Sequence, residues 1–148
     1  MRSIPEAITG GACAESDVWA SSLRAQTDWE EVFSPLAPAP FALGLETVYE
    51  AYLVHYGRAR LFRPPDRDEA VLLGDYLYAH GLVRIAAVGG VRAVDTMSRL
   101  ISRCAALRAE GADGDADAWI DAARSLGGSP SEPEVALALS RHSARVAA

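Results

Sequence analysis

Glu46 and Glu50 stand four apart in LETVYEAY, a spacing that puts both carboxylates on one face of a helix. Such a pair can offer hard oxygen ligands to a magnesium ion bridging to a phosphate, or it can form a polar stripe on an apolar helix. Arg58, Arg60, Arg63 and Arg67 follow close behind as the one dense basic stretch of the chain. Guanidinium forks match phosphate oxygens bidentately, so Arg58, Arg60 and Arg63 are candidate diphosphate ligands. The competing reading pairs them with Asp66, Asp68 and Glu69 in a solvated loop.

Other chemistry-bearing residues form no working pattern. Asp113, Asp115 and Asp117 resemble the start of a calcium loop. The sixth position is Ala118 where glycine is needed, and the twelfth is Arg124 where a bidentate glutamate is needed. His55, His80 and His142 are scattered, and Cys13 and Cys104 have neither metal-site nor redox spacing. Both cysteines read as reduced thiols of a cytoplasmic protein. No nucleophile motif and no glycine-rich phosphate loop is present.

The elements that would position these residues are helical. Residues 66–90 open on a capping Asp66, carry Asp68 and Glu69 in the first turn, run apolar on nearly every face and end at Gly89-Gly90. That profile predicts a buried central helix, with 70–88 the most buried stretch of the bundle. Asp75, His80 and Arg84 interrupt it, which argues against a transmembrane segment. Within it, Gly74-Asp75-Tyr76-Leu77 places a glycine where another helix can approach closely.

Upstream, residues 41–56 carry Leu45, Val48, Tyr49, Tyr52, Leu53 and Tyr56 at spacings of three and four, with Gly57 placed to end the helix. Downstream, 91–110 is amphipathic and closes at Gly111; 119–126 forms a shorter helix; Ser131-Glu132-Pro133-Glu134 starts a last helix running to about Val146. Ser16 starts a further helix through Gln26, and the prolines at 35, 38 and 40 read as an extended connector. Residues 1–15 read as a flexible tail and 16–148 as a single domain. With no alternating strand pattern, the fold class is all-α, a bundle of five or six helices.

Composition narrows the partners. Half of the 148 residues are hydrophobic, and the net charge is −6, which offers no general attraction to nucleic acid or anionic lipid. All 14 basic residues are arginine.

The segment 69–82, EAVLLGDYLYAHGL, resembles the GDYL-containing helix of the trans-polyprenyl diphosphate synthases, an all-α prenyltransferase family. Read without a gap, 43–57 falls on that family's aspartate-rich segment, with Glu46-Thr47-Val48-Tyr49-Glu50 over its DDxxD and Gly57 over its glycine. The resemblance implies a bundle like part of the isoprenoid synthase fold, with Glu46 and Glu50 in the place of magnesium ligands. Its departures are equally specific. The middle carboxylate is lost, His55-Tyr56 replaces the arginine pair, and the second aspartate-rich motif is absent. Those losses remove the electrostatic stabilisation that ionising an allylic diphosphate requires. The family includes two-component enzymes, such as heptaprenyl diphosphate synthases, whose small subunit lacks the aspartate-rich motifs. The chain is similar to that kind of part. The resemblance implies a non-catalytic or regulatory subunit, inactive alone and needing no cofactor of its own. Its partner would be a second copy or a catalytic synthase subunit, met through apolar surface on 41–56 and 70–88. A helical scaffold without isoprenoid chemistry and a weak magnesium-dependent prenyltransferase are the alternatives.

Overall fold

Local capping signals set most of the helix boundaries in the computed structural model, which describes residues 2–147. Asp66 accepts the Glu69 amide at 2.9 Å and begins α4 (Arg67–Glu110). Ser131 and Glu134 close a capping box at the start of α6 (Glu132–Val146). Ser3 accepts from the Glu6 amide, with Pro5 in the first turn, and starts α1 (Ile4–Glu15). With α2 (Asp17–Ser21), α3 (Ala42–Tyr56) and α5 (Asp115–Ser125), these make six α-helices and no named strand among the described residues. The all-α class is as the sequence predicts. One isolated antiparallel bridge joins Leu23 and Phe62.

Four expectations are corrected. The helix starting at Ser16 ends at Ser21 rather than Gln26. Residues 4–15 are a docked helix rather than a flexible tail. Ile8 and Ala12 are buried against a cluster formed by Ala51, Leu61, Phe62, Leu73 and Leu77, and that burial offsets the poor helix propensity of Gly10 and Gly11. The proline segment contains two short 3-10 turns, Ser34–Leu36 and Ala39–Phe41, which fold it against α3. The most buried helix is α3, in which every residue from Gly44 to Leu53 is buried, so 41–56 leaves none of the free apolar surface expected there for a partner.

α3 lies along α4, and glycines set how closely. A Cβ on Gly81 would lie 2.6 Å from the Val48 side chain and 3.1 Å from its backbone nitrogen. α4 gives the core one face only: Leu73, Gly74, Leu77, Gly81 and Ile85, then Ala93, Met97, Leu100 and Cys104. Leu72 and Val83 remain exposed on its outer side, and Val71 and Val88 are exposed nearer its ends. The helix is long and apolar enough to cross a membrane, and only 28% of its most apolar stretch is buried.

Gly89-Gly90 marks the end of the first helical segment, as the sequence predicts. Gly90 takes φ 65°, ψ −155° and puts a kink between two helical halves that run on to Gly111, whose φ of 65° forms a left-handed cap. The conformation at Gly90 belongs to a region open essentially only to glycine. Beyond the kink, α5 and α6 pack with α3 around Trp119, Phe33 and Tyr49.

Candidate functional site

The residues with the clearest chemical potential meet inside the protein. Glu46 and Glu50 lie on one face of α3, as their spacing predicts, and that face looks onto Arg60. All three side chains are fully buried. The Arg60 Nε donates to Glu50 Oε1 at 2.9 Å, and its Nη1 donates to Glu46 Oε1 and to the Glu30 carbonyl. Nη2 donates to the Glu46 carbonyl at 3.1 Å.

The remaining carboxylate capacity goes to backbone amides. Glu46 Oε2 accepts from Val32 and Ser34, and the Glu50 oxygens accept from Arg60 and Leu61. The guanidinium lies 4.2 Å from the Trp29 ring centroid and 5.0 Å from that of Tyr49. Burial works against its charge, but the neighbouring Glu46 and Glu50 carboxylates outweigh this and raise its pKa. The positions matched to magnesium ligands therefore form a closed ion triad tying α3 to the loops on either side. No cluster of metal-ligating side chains occurs among the described residues.

Arg60 thus separates from the other two diphosphate candidates. Arg58 and Arg63 are exposed and line an open cleft of about 420 Å3 with Arg24, Leu53, Val54 and Phe62. Arg24 is brought there by backbone pairing of its loop: its amide donates to the Leu61 carbonyl, and the Arg63 amide donates to that of Ser22. Among the described residues no carboxylate lines this cleft. Sequence reasoning missed Arg24 because no local spacing links it to residues 58–63.

The GDYL segment divides its labour. A Cβ on Gly74 would lie 2.1 Å from Nε2 of His55, so the glycine admits the imidazole of α3. Asp75 is exposed, 3.7 Å from the same nitrogen. Tyr76 donates to the Gly11 carbonyl, lies 2.8 Å from His80 Nδ1 and stacks on Trp19, which fastens α1 and α2 to α4. Leu77 is core. Arg84, one turn on from His80, donates to Thr47 and to the Ala7 carbonyl. Burial, and then the Arg84 charge, lower the pKa of His80.

A second polar cluster was not legible in advance. Tyr52 donates to Asp115 Oδ2, Arg108 bridges Asp115 and Tyr52 at 2.8 Å each, and Tyr49 meets His142 Nδ1 at 2.8 Å. An adjoining cleft of about 460 Å3 is lined by Arg108, Asp113, Asp115 and His142. Burial raises the Tyr49 and Tyr52 phenols well above their ordinary range and pushes His142 down to about 4. At neutral pH these are uncharged phenols and an uncharged imidazole, so the cluster holds no histidine or tyrosine poised to exchange a proton there.

No protein-family model, curated protein or solved structure matches the chain.

Proposed function

We propose that this protein is a non-catalytic helical subunit that acts by associating with another protein. The observation that carries this reading is the closed triad. The two carboxylates in the position of magnesium ligands are enclosed by Arg60 and by backbone amides. Oxygens so occupied are poorly placed to take a bridging cation, which supports the non-catalytic reading over the weak-enzyme alternative.

The partner class comes from the resemblance of 43–57 and 69–82 to the polyprenyl diphosphate synthases. Those segments fall on α3 and α4, which lie side by side here. A catalytic subunit of such a synthase is the proposed partner, and a helical scaffold that touches no isoprenoid is the rival reading. The cleft of Arg24, Arg58 and Arg63 supports a second, compatible role. It suits a diphosphate held without chemistry, because three arginines line it, Arg58 and Arg63 exposed and Arg24 held by the Gln26 and Ala59 carbonyls, and no carboxylate does among the described residues.

The test is turnover by the purified chain with isopentenyl and farnesyl diphosphates in magnesium. No condensation is expected from the chain alone. Sustained magnesium-dependent product formation, lost in Glu46→Gln with Glu50→Gln while circular dichroism stays helical, would overturn the proposal. Inorganic diphosphate should raise the melting temperature, and Arg58→Ala with Arg63→Ala should abolish that rise.

A further inference from the structure

The body of the protein holds α6 largely through polar contacts. Of the α6 residues only Ala138, His142 and Arg145 are buried, and just one of the three is apolar. Val135, Leu139 and Val146 are half-buried, and Leu137 is exposed. Arg145 Nη2 donates to the Asp28 carbonyl at 2.7 Å, and its Nη1 lies 2.9 Å from Asp28 Oδ2. Arg141 Nη1 donates to the Glu31 carbonyl at 2.8 Å, with Nε 3.5 Å from Glu30 Oε2. The Arg58 amide donates to the Arg145 carbonyl. Arg145 Nε is buried and has no hydrogen-bond partner among the described residues, so the burial of this cation is only partly compensated. An element held in this way opens at lower cost than α3, where every residue from Gly44 to Leu53 is buried.

His142 sits at the centre of this contact. Its ring centroid lies 5.2 Å from that of Phe33, 5.9 Å from Tyr49 and 5.8 Å from Tyr52, and its Nδ1 is 2.8 Å from the Tyr49 hydroxyl. The titratable and charged groups around it are Tyr49 and Tyr52 on α3, Arg108 on α4, Asp115 on α5 and Asp113 in the loop before it. Arg141 and Arg145 share its own helix and face Asp28, Glu30 and the Glu31 carbonyl. Burial disfavours a charged ring most, Asp115 favours one, and Arg108 opposes it. Asp115 Oδ2 is already taken by Arg108 and Tyr52. A protonated His142 is therefore a buried cation while α6 is packed, and an ordinary hydrated one once α6 has left. The ring titrates at about 4 in place and at 6.5 when free, so α6 is fully held above pH 6.5 and loses hold as pH falls toward 4. From pH 7 to pH 5 the detached fraction rises about twentyfold.

We propose that α6 is an acid-released clasp, closed over Phe33, Tyr49 and Tyr52 at neutral pH and leaving them as a unit when His142 takes up a proton. The device goes beyond the subunit reading above and stands without it. Release bares an aromatic face that the closed form hides. Hydrogen exchange followed by NMR on the full chain tests this, with rates corrected for the intrinsic effect of pH. Amides in the middle of α6 should share one protection factor, lower than that of Gly44 to Leu53 at both pH 7 and pH 5. It should fall about twentyfold between those values, and His142→Asn should hold the change within about twofold. Arg145→Gln should strip α6 of protection at pH 7 and leave α3 protected. Protection lost together in α6 and α3, or an α6 unmoved by pH in the native sequence, would overturn the proposal. A twentyfold fall that survives in His142→Asn would do the same. Should that variant release α6 at pH 7, the ring titration of His142 in the native sequence decides. Ring signals that titrate in step with α6 exchange support the clasp, and ring signals that titrate while α6 keeps its protection refute it.

Discussion

Replacing Arg60 with methionine should be among the most damaging single changes this protein can suffer. Methionine keeps most of the side-chain length between Trp29 and Tyr49 but removes the guanidinium. The bonds to Glu50 Oε1, Glu46 Oε1, the Glu30 carbonyl and the Glu46 carbonyl go with it. Two fully buried carboxylates then remain with backbone amides as their only partners. Removing one partner of a buried ion pair costs about 3–5 kcal/mol, because the charge left behind has lost its counter-ion. For a chain of this size that lowers the melting temperature by roughly 6–20 °C. Glu46→Gln and Glu50→Gln added to Arg60→Met should restore roughly 1–2 kcal/mol. The amides still accept from the same backbone N–H groups and can donate to the freed carbonyls. Urea unfolding followed by circular dichroism and tryptophan fluorescence measures both steps, with Trp29 as a reporter at the site. A loss below about 1 kcal/mol for Arg60→Met, or a triple variant no more stable than the single one, would refute the account of a charge-balanced triad.

Three further outcomes follow from the packing. Gly74→Ala puts a methyl group 2.1 Å from the His55 ring nitrogen, and it should cost about 1–3 kcal/mol in a urea titration, with His55→Ala relieving most of the loss. His142 is buried neutral with its pKa near 4, below the ordinary 6.5, so its contribution is complete above pH 6.5 and declines as pH falls toward 4. Between pH 6.5 and 5 the loss should reach about 2 kcal/mol, and a His142→Asn variant should show a flatter stability profile over that range. Burial pushes the Cys104 thiol up to about 12, so iodoacetamide should modify Cys13 in the folded protein and reach Cys104 only on unfolding.

Features governed by neighbours in sequence were the legible ones. Asp66, Ser131 and Glu134 cap the helices they were expected to cap, because a side chain and the amide three residues on meet wherever the helix forms. Ser3, Pro5 and Glu6 carry the same signal for α1, and only Gly10 and Gly11 obscured it. What periodicity could not assign was cover. Residues 70–88 are apolar on nearly every face, but which faces acquire neighbours depends on the packing of α1, α3 and α5. The outer side acquired none.

The candidate site divides along the same line. The shared face of Glu46 and Glu50 followed from helix geometry. Their partner did not, because four arginines crowd residues 58–67 and spacing does not tell which one turns inward. The arrangement has a recognisable cause. Two carboxylates on the innermost helix require compensation, and Arg60 is the arginine whose own amide already meets Glu50.

The kink at Gly90 also governs the reach of the molecule. A straight helix of 44 residues would extend about 66 Å, well past the roughly 40 Å breadth of a folded chain of this length. Divided near its middle, the same helix becomes two arms of about 35 Å and 30 Å, each commensurate with the body that holds it. Straightening would drive one arm beyond the envelope and lengthen the particle by tens of ångströms. The maximum dimension measured by small-angle X-ray scattering is therefore a direct gauge of the backbone angle at a single glycine.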